Sequence, residues 1–69
     1  MSDSFVVEKV MKIRRNKSTG TIEVQVHWEG YTVKDRTWEP LREIRLKCEE
    51  VVEEFKESHP KDWNKVFRT

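Results

Sequence analysis

Apolar residues along the chain follow three different rhythms, and each rhythm predicts a different element. From Thr21 to Trp28 (TIEVQVHW) they alternate strictly, with Ile22, Val24, Val26 and Trp28 on one face and Glu23, Gln25 and His27 on the other. A period of two over this length predicts a half-buried strand. Phe5 to Ile13 (FVVEKVMKI) is rich in β-branched residues but does not alternate cleanly. It predicts a strand bent near Lys9, with Val7 and Ile13 at core positions. Between the two, Asn16-Lys17-Ser18-Thr19-Gly20 is a turn cluster suited to a hairpin. Gly30 ends the second strand, Thr32 to Arg36 reads as a polar loop, and Thr37-Trp38-Glu39 is a short third strand stopped by Pro40.

The third rhythm begins at Cys48. Val51, Val52 and Phe55 recur at i, i+1 and i+4 among acids, which predicts an amphipathic helix of about ten residues. Glu49 and Glu50 suit the positive end of its dipole, and Ser58-His59-Pro60 supplies the stop. After Pro60, the spacing of Trp63, Val66 and Phe67 predicts a further short helix with an apolar stripe within 59–69. The expected class is α+β, a three-stranded antiparallel, curved sheet packed against a C-terminal helix. That helix is needed because a hairpin alone is not stable in water. Residues 1–4 are expected as a disordered lead.

Composition narrows the function. A chain of 69 residues is one domain, and at this size only about 60% of the unfolded surface is buried. Hydrophobic residues make up 35% and charged residues 39%, so every large apolar side chain matters. A net charge of +1 argues against a general polyanion binder. The charge is uneven, with Lys9, Lys12, Arg14, Arg15 and Lys17 early and Glu49, Glu50, Glu53, Glu54 and Glu57 late. Cys48 is the sole cysteine, which excludes an internal disulfide and, with His27 and His59 far away, gives no zinc spacing. Neither metal nor cofactor is expected, and a reducing, intracellular setting fits. No run approaches the roughly 20 apolar residues of a membrane span, and no signal-peptide core is present. No paired acid and base suggest an enzyme, and His27 reads as a solvent-facing strand residue.

The stretch VHWEGYTVKDRTWEP concentrates aromatics in an otherwise charged sequence. Together with Phe5-Val6-Val7-Glu8-Lys9-Val10 before it and Cys48 to Phe55 after it, it resembles a chromodomain of the heterochromatin-protein-1 or Polycomb type. The resemblance covers residues 5–58 and leaves 59–69 as an extension. It implies a nuclear, chromatin-associated reader of di- or trimethyl-lysine on the histone H3 tail. By periodicity alone Trp28 would be core, but it stands at a strand end before a glycine, where a ring can tip over the rim. The resemblance makes Phe5, Trp28 and Tyr31 an aromatic cage, Trp38 a buried structural residue, and Asp35 and Glu39 polar support for the ligand. Aromatic faces suit a quaternary ammonium, which keeps its charge, cannot donate hydrogen bonds and is weakly hydrated.

In the family the tail lies extended between two segments of the domain, a case of strand addition. The walls here would be Phe5 to Lys9 and Leu41 to Arg45, with Val7 lining a small pocket and Glu43 bonding the peptide. Heterochromatin-protein-1-type readers usually have Asn at the position of Glu43 and an acid at that of Arg45, so Arg42 and Arg45 are expected to oppose a basic tail. Two alternatives stay open. Lys12, Arg14, Arg15 and Lys17 would contact RNA or DNA in a nucleic-acid-binding or retroelement-targeting chromodomain. A chromo-shadow-like module would dimerise through the C-terminal extension, although a monomer is the primary expectation.

Overall fold

The computed structural model describes residues 5–68, so the expected lead at 1–4 lies outside the described residues, as does Thr69. Strand β1 spans Val7–Arg15, β2 Ile22–Trp28 and β3 Thr37–Pro40, forming one antiparallel sheet in the order β1-β2-β3. Helices α1 (Leu41–Lys47), α2 (Glu49–Ser58) and α3 (Pro60–Phe67) follow. This is the α+β architecture that the sequence predicts.

Val7, Val10 and Ile13 are three residues apart, a spacing that a regular strand would scatter over both faces. The register of β1 on β2 shifts twice, between Val7 and Lys9 and between Val10 and Lys12. Each shift inserts an extra residue and bends the strand. Val7, Val10 and Ile13 therefore oppose Trp28, Val26 and Val24 and share the face that the helices cover. The expected bend at Lys9 is the first of these bulges. The strand itself starts and ends two residues later than Phe5–Ile13. At the hairpin, Asn16 Oδ1 accepts from the amides of Ser18 and Thr19, and Gly20 supplies the left-handed residue at φ 77°.

The core is built from Val10, Val24, Val26, Ile44 and Val52, each 1% exposed or less, with Val7, Leu41, Val51, Phe55 and Trp63 around them. Two expectations need correction, and the extension after Pro60 finds its place. Residues 41–45 are not extended: Leu41 and Ile44, three apart, bury one face of α1, while Glu43 in its first turn and Arg45 and Lys47 in its last match the helix dipole. The tail after Pro60 is part of the domain, because Trp63 of α3 sits in the main core. Trp38 is not core. It pairs with Gln25, so it faces outward with the polar side of β2, half-buried beneath the Arg14 guanidinium 4.0 Å from its ring.

Candidate functional site

Three aromatic side chains from separate segments converge at one end of the sheet. Phe5 lies just before β1, Trp28 ends β2, and Tyr31 follows a tight turn. The Phe5 ring is 5.9 Å from Trp28, edge to face, and 5.5 Å from Tyr31. Phe5 and Tyr31 are 42% and 46% exposed, a poor use of large apolar surface in a domain this small unless they meet something. Backbone geometry explains the convergence. Val6 O accepts from Glu29 N (2.9 Å), which ties the leading segment to the end of β2. Gly30 at φ 83° then lets the chain fold back so that Tyr31 N reaches Trp28 O (3.1 Å).

Polar groups brace this corner. Asp35 Oδ2 accepts from both the amide and the hydroxyl of Thr32 (3.1 and 2.9 Å), closing the single 3₁₀ turn Val33–Asp35 that sits in the expected loop. Its carboxylate thus supports the segment carrying Tyr31. The Trp28 indole Nε1 donates to Thr37 Oγ1 (2.8 Å), and that hydroxyl donates to Glu39 Oε2 (2.7 Å). The sequence expects Glu39 as polar support for the ligand, whereas here its carboxylate meets Thr37, a residue the sequence does not single out. The available signal was the i, i+2 spacing of Thr37 and Glu39, which puts both on one face of a strand.

An open groove of about 380 Å³ leads away from Phe5 and is lined by Phe5, Val6, Val7, Lys47 and Cys48. Its second wall is therefore the joint between α1 and α2, where Cys48 is extended (φ −159°, ψ 92°), rather than Leu41–Arg45. A helix already uses its backbone groups internally and offers no strand edge. Glu43 lies on another cavity, with Thr21, Ile22, Pro40, Leu41 and Arg42. Arg45 lies over the Trp63 ring at 5.7 Å, so Lys47 is the cation on the groove.

The four early cations divide. Lys12 is exposed on the outer face of the sheet, opposite Gln25. Arg14 Nε meets Glu23 Oε1 at 2.8 Å. That bond, with help from Asn16, holds the Glu23 carboxyl below the usual glutamate range despite some desolvation. Arg15 donates to Val66 O (2.7 Å) and Gly20 O (3.3 Å), joining the hairpin to the end of α3. Beside it Lys17 shares a cleft with Asp62, Lys65 and Arg68. His27 differs from its expected solvent-facing role: half-buried, its Nδ1 accepts from Arg36 Nε at 2.9 Å. Among the described residues there is no metal-ligating cluster, and no helix is long and apolar enough to cross a membrane.

Comparison with known proteins identifies the family. The family described as Chromo (CHRromatin Organisation MOdifier) domain matches residues 5–58. Chromodomain Y-like protein of Homo sapiens is 40% identical over 53 residues, covering 77% of this chain and 8% of the relative. Chromodomain Y-like protein 2 of Mus musculus is 39% identical over 57 residues, 83% of this chain and 11% of the relative. M-phase phosphoprotein 8 of Homo sapiens is 39% identical over 67 residues, 96% of this chain, so that likeness runs through α3. The chain spans roughly a tenth or less of the length of these relatives, at 8%, 11% and 7%.

Proposed function

The chain belongs to the chromodomain family, and we propose that it reads methylated lysine, taking a di- or trimethyl-lysine of the histone H3 tail between Phe5, Trp28 and Tyr31. The observation that carries this reading is the meeting of three rings from three segments, two of them exposed, at the head of a groove. Each face attracts a cation by about 0.5–1 kcal/mol when wet and about 2 when desolvated. The peptide would run along Phe5–Val7, with the Lys47–Cys48 joint as the opposite wall and Val7 lining a pocket for a small side chain. Asp35 and Glu39 act by bracing Tyr31 and Trp28. Glu43 belongs to a different cavity and has no part in this reading. The function is binding rather than catalysis, in a nuclear, chromatin-associated protein. Trp63 is committed to the domain's own core, which favours a monomer and leaves half-exposed Phe67 as the apolar side chain of α3 open to a dimer contact.

Titration with matched unmodified and trimethylated H3-tail peptides tests the proposal. Micromolar affinity for the methylated peptide is expected, about −8 kcal/mol. Trp28→Ala is expected to abolish the preference. A methylation effect below a few-fold, or a Trp28→Ala variant that binds as before, would refute it.

A second reading, nucleic-acid contact, is favoured by one observation. Arg15, Lys17, Lys65 and Arg68 line a cleft between the hairpin and α3, with Asp62 among them, and Lys61, Lys65 and Arg68 line a second cleft on α3 alone. Phosphate contacts there would give affinity that falls steeply with salt and is insensitive to lysine methylation. The double variant Lys65→Glu, Arg68→Glu would remove them.

A further inference from the structure

The polar edge of Trp28 is tied into a chain of two hydrogen bonds, and we infer that Thr37 and Glu39 are positioning residues that set the angle at which its ring meets the methylated lysine. This inference rests on the cage reading above. Pairing between β2 and β3 ends at Val26 and Thr37, so Trp28 projects two residues past the last cross-strand partner that β3 offers. Val7 of β1 opposes it on one side, but on the β3 side the ring lacks the cross-strand neighbour that would limit its rotamer. The indole N–H supplies the missing restraint. It is a donor only, and the Thr37 hydroxyl accepts it at 2.8 Å.

That hydroxyl has one proton, which goes to Glu39 Oε2 at 2.7 Å, so its rotation is fixed as well. A carboxylate at the end of the chain makes the second bond charge-assisted and stronger than a neutral one. Successive bonds of this kind polarise one another. Donation toward a carboxylate shifts electron density onto the indole, which favours a cation over its face. Thr37 and Glu39 are two residues apart on β3, and their partners Val26 and Val24 are the most deeply buried residues of β2. The chain is therefore anchored on the stiffest part of the sheet.

The test compares Thr37→Val, which keeps the shape and deletes the hydroxyl, with Thr37→Ser, which keeps the hydroxyl. Thr37→Val is expected to weaken the trimethylated H3 peptide about five- to ten-fold, the worth of one hydrogen bond. Binding of the unmodified peptide should barely move. The Trp28 indole N–H resonance should move upfield in Thr37→Val, and Thr37→Ser should restore both readouts. A Thr37→Val protein with wild-type affinity or an unmoved indole resonance overturns the inference, as does a Thr37→Ser protein that restores neither. Trp28→Ala separates the two proposals. Methyl preference lost in Trp28→Ala but intact in Thr37→Val sinks the positioning role alone, whereas preference that survives Trp28→Ala sinks the cage and this role together. Should Thr37→Val fail to fold, Glu39→Gln takes its place: it keeps an acceptor without the charge, and an affinity and resonance identical to wild type would overturn the inference.

Discussion

Gly30 illustrates how much one backbone angle decides here. At φ 83° it sits in the left-handed region, yet a Cβ added to it would meet nothing within 4 Å. The strain of Gly30→Ala is therefore purely conformational, about 1 kcal/mol or somewhat more. Urea unfolding should show that loss, and methyl-lysine affinity should fall with it because the turn aims Tyr31. Glu23 gives a different kind of prediction. Its carboxyl is held low chiefly by the bond from Arg14, so the folded state binds a proton less readily than the unfolded chain. That stabilisation is present above the ordinary glutamate value and is lost as pH falls through the lower folded value. Glu23→Gln is expected to be less stable at neutral pH and to show a shallower loss of stability on acidification, measured as melting temperature against pH.

Elements that were legible in the sequence are those with enough residues to show a phase. The seven residues of β2 alternate unmistakably, and α2 carries a complete apolar stripe. In contrast β3 has four residues, too few to reveal which side faces in, so only its register on Gln25 turns Trp38 outward. Helix α1 shows just Leu41 and Ile44 as its buried face, and two positions do not distinguish a turn of helix from an extended wall. The grouping of Phe5, Trp28 and Tyr31 was legible through the family resemblance over residues 5–58, whereas the bond network behind Trp28 depends on where two side chains meet across strands.

Helix α3 lies beyond the family match yet contributes Trp63, only 8% exposed, to the core. Trp63→Ala is expected to cost about 3–5 kcal/mol, comparable with the whole stability of a domain this size, about 3–10 kcal/mol. A chain ending at Ser58 should accordingly lose its cooperative unfolding transition by circular dichroism. The groove offers a separate test at this scale. Lys47 on its wall opposes a basic peptide, so Lys47→Glu should tighten binding of the H3 tail several-fold at low salt and less at high salt.

Across the molecule, the five glutamates that crowd α2 and the cations between the hairpin and α3 occupy different regions, which a net charge of +1 conceals. The other large-scale property concerns Phe5. Its ring already rests against Trp28 and Tyr31, at separations typical of aromatic partners in contact. Two rings that touch leave no gap for a quaternary ammonium between their faces, so in the proposed reading Phe5 has to draw back before the ligand enters. Phe5 is then a competitor carried on the same chain. Were one molecule in about ten open at any moment, the measured affinity would be about tenfold weaker than that of the open cage itself. On that reading the resting protein would be its own weak inhibitor, and binding methylated lysine would be a contest that the ligand has to win against a phenyl ring.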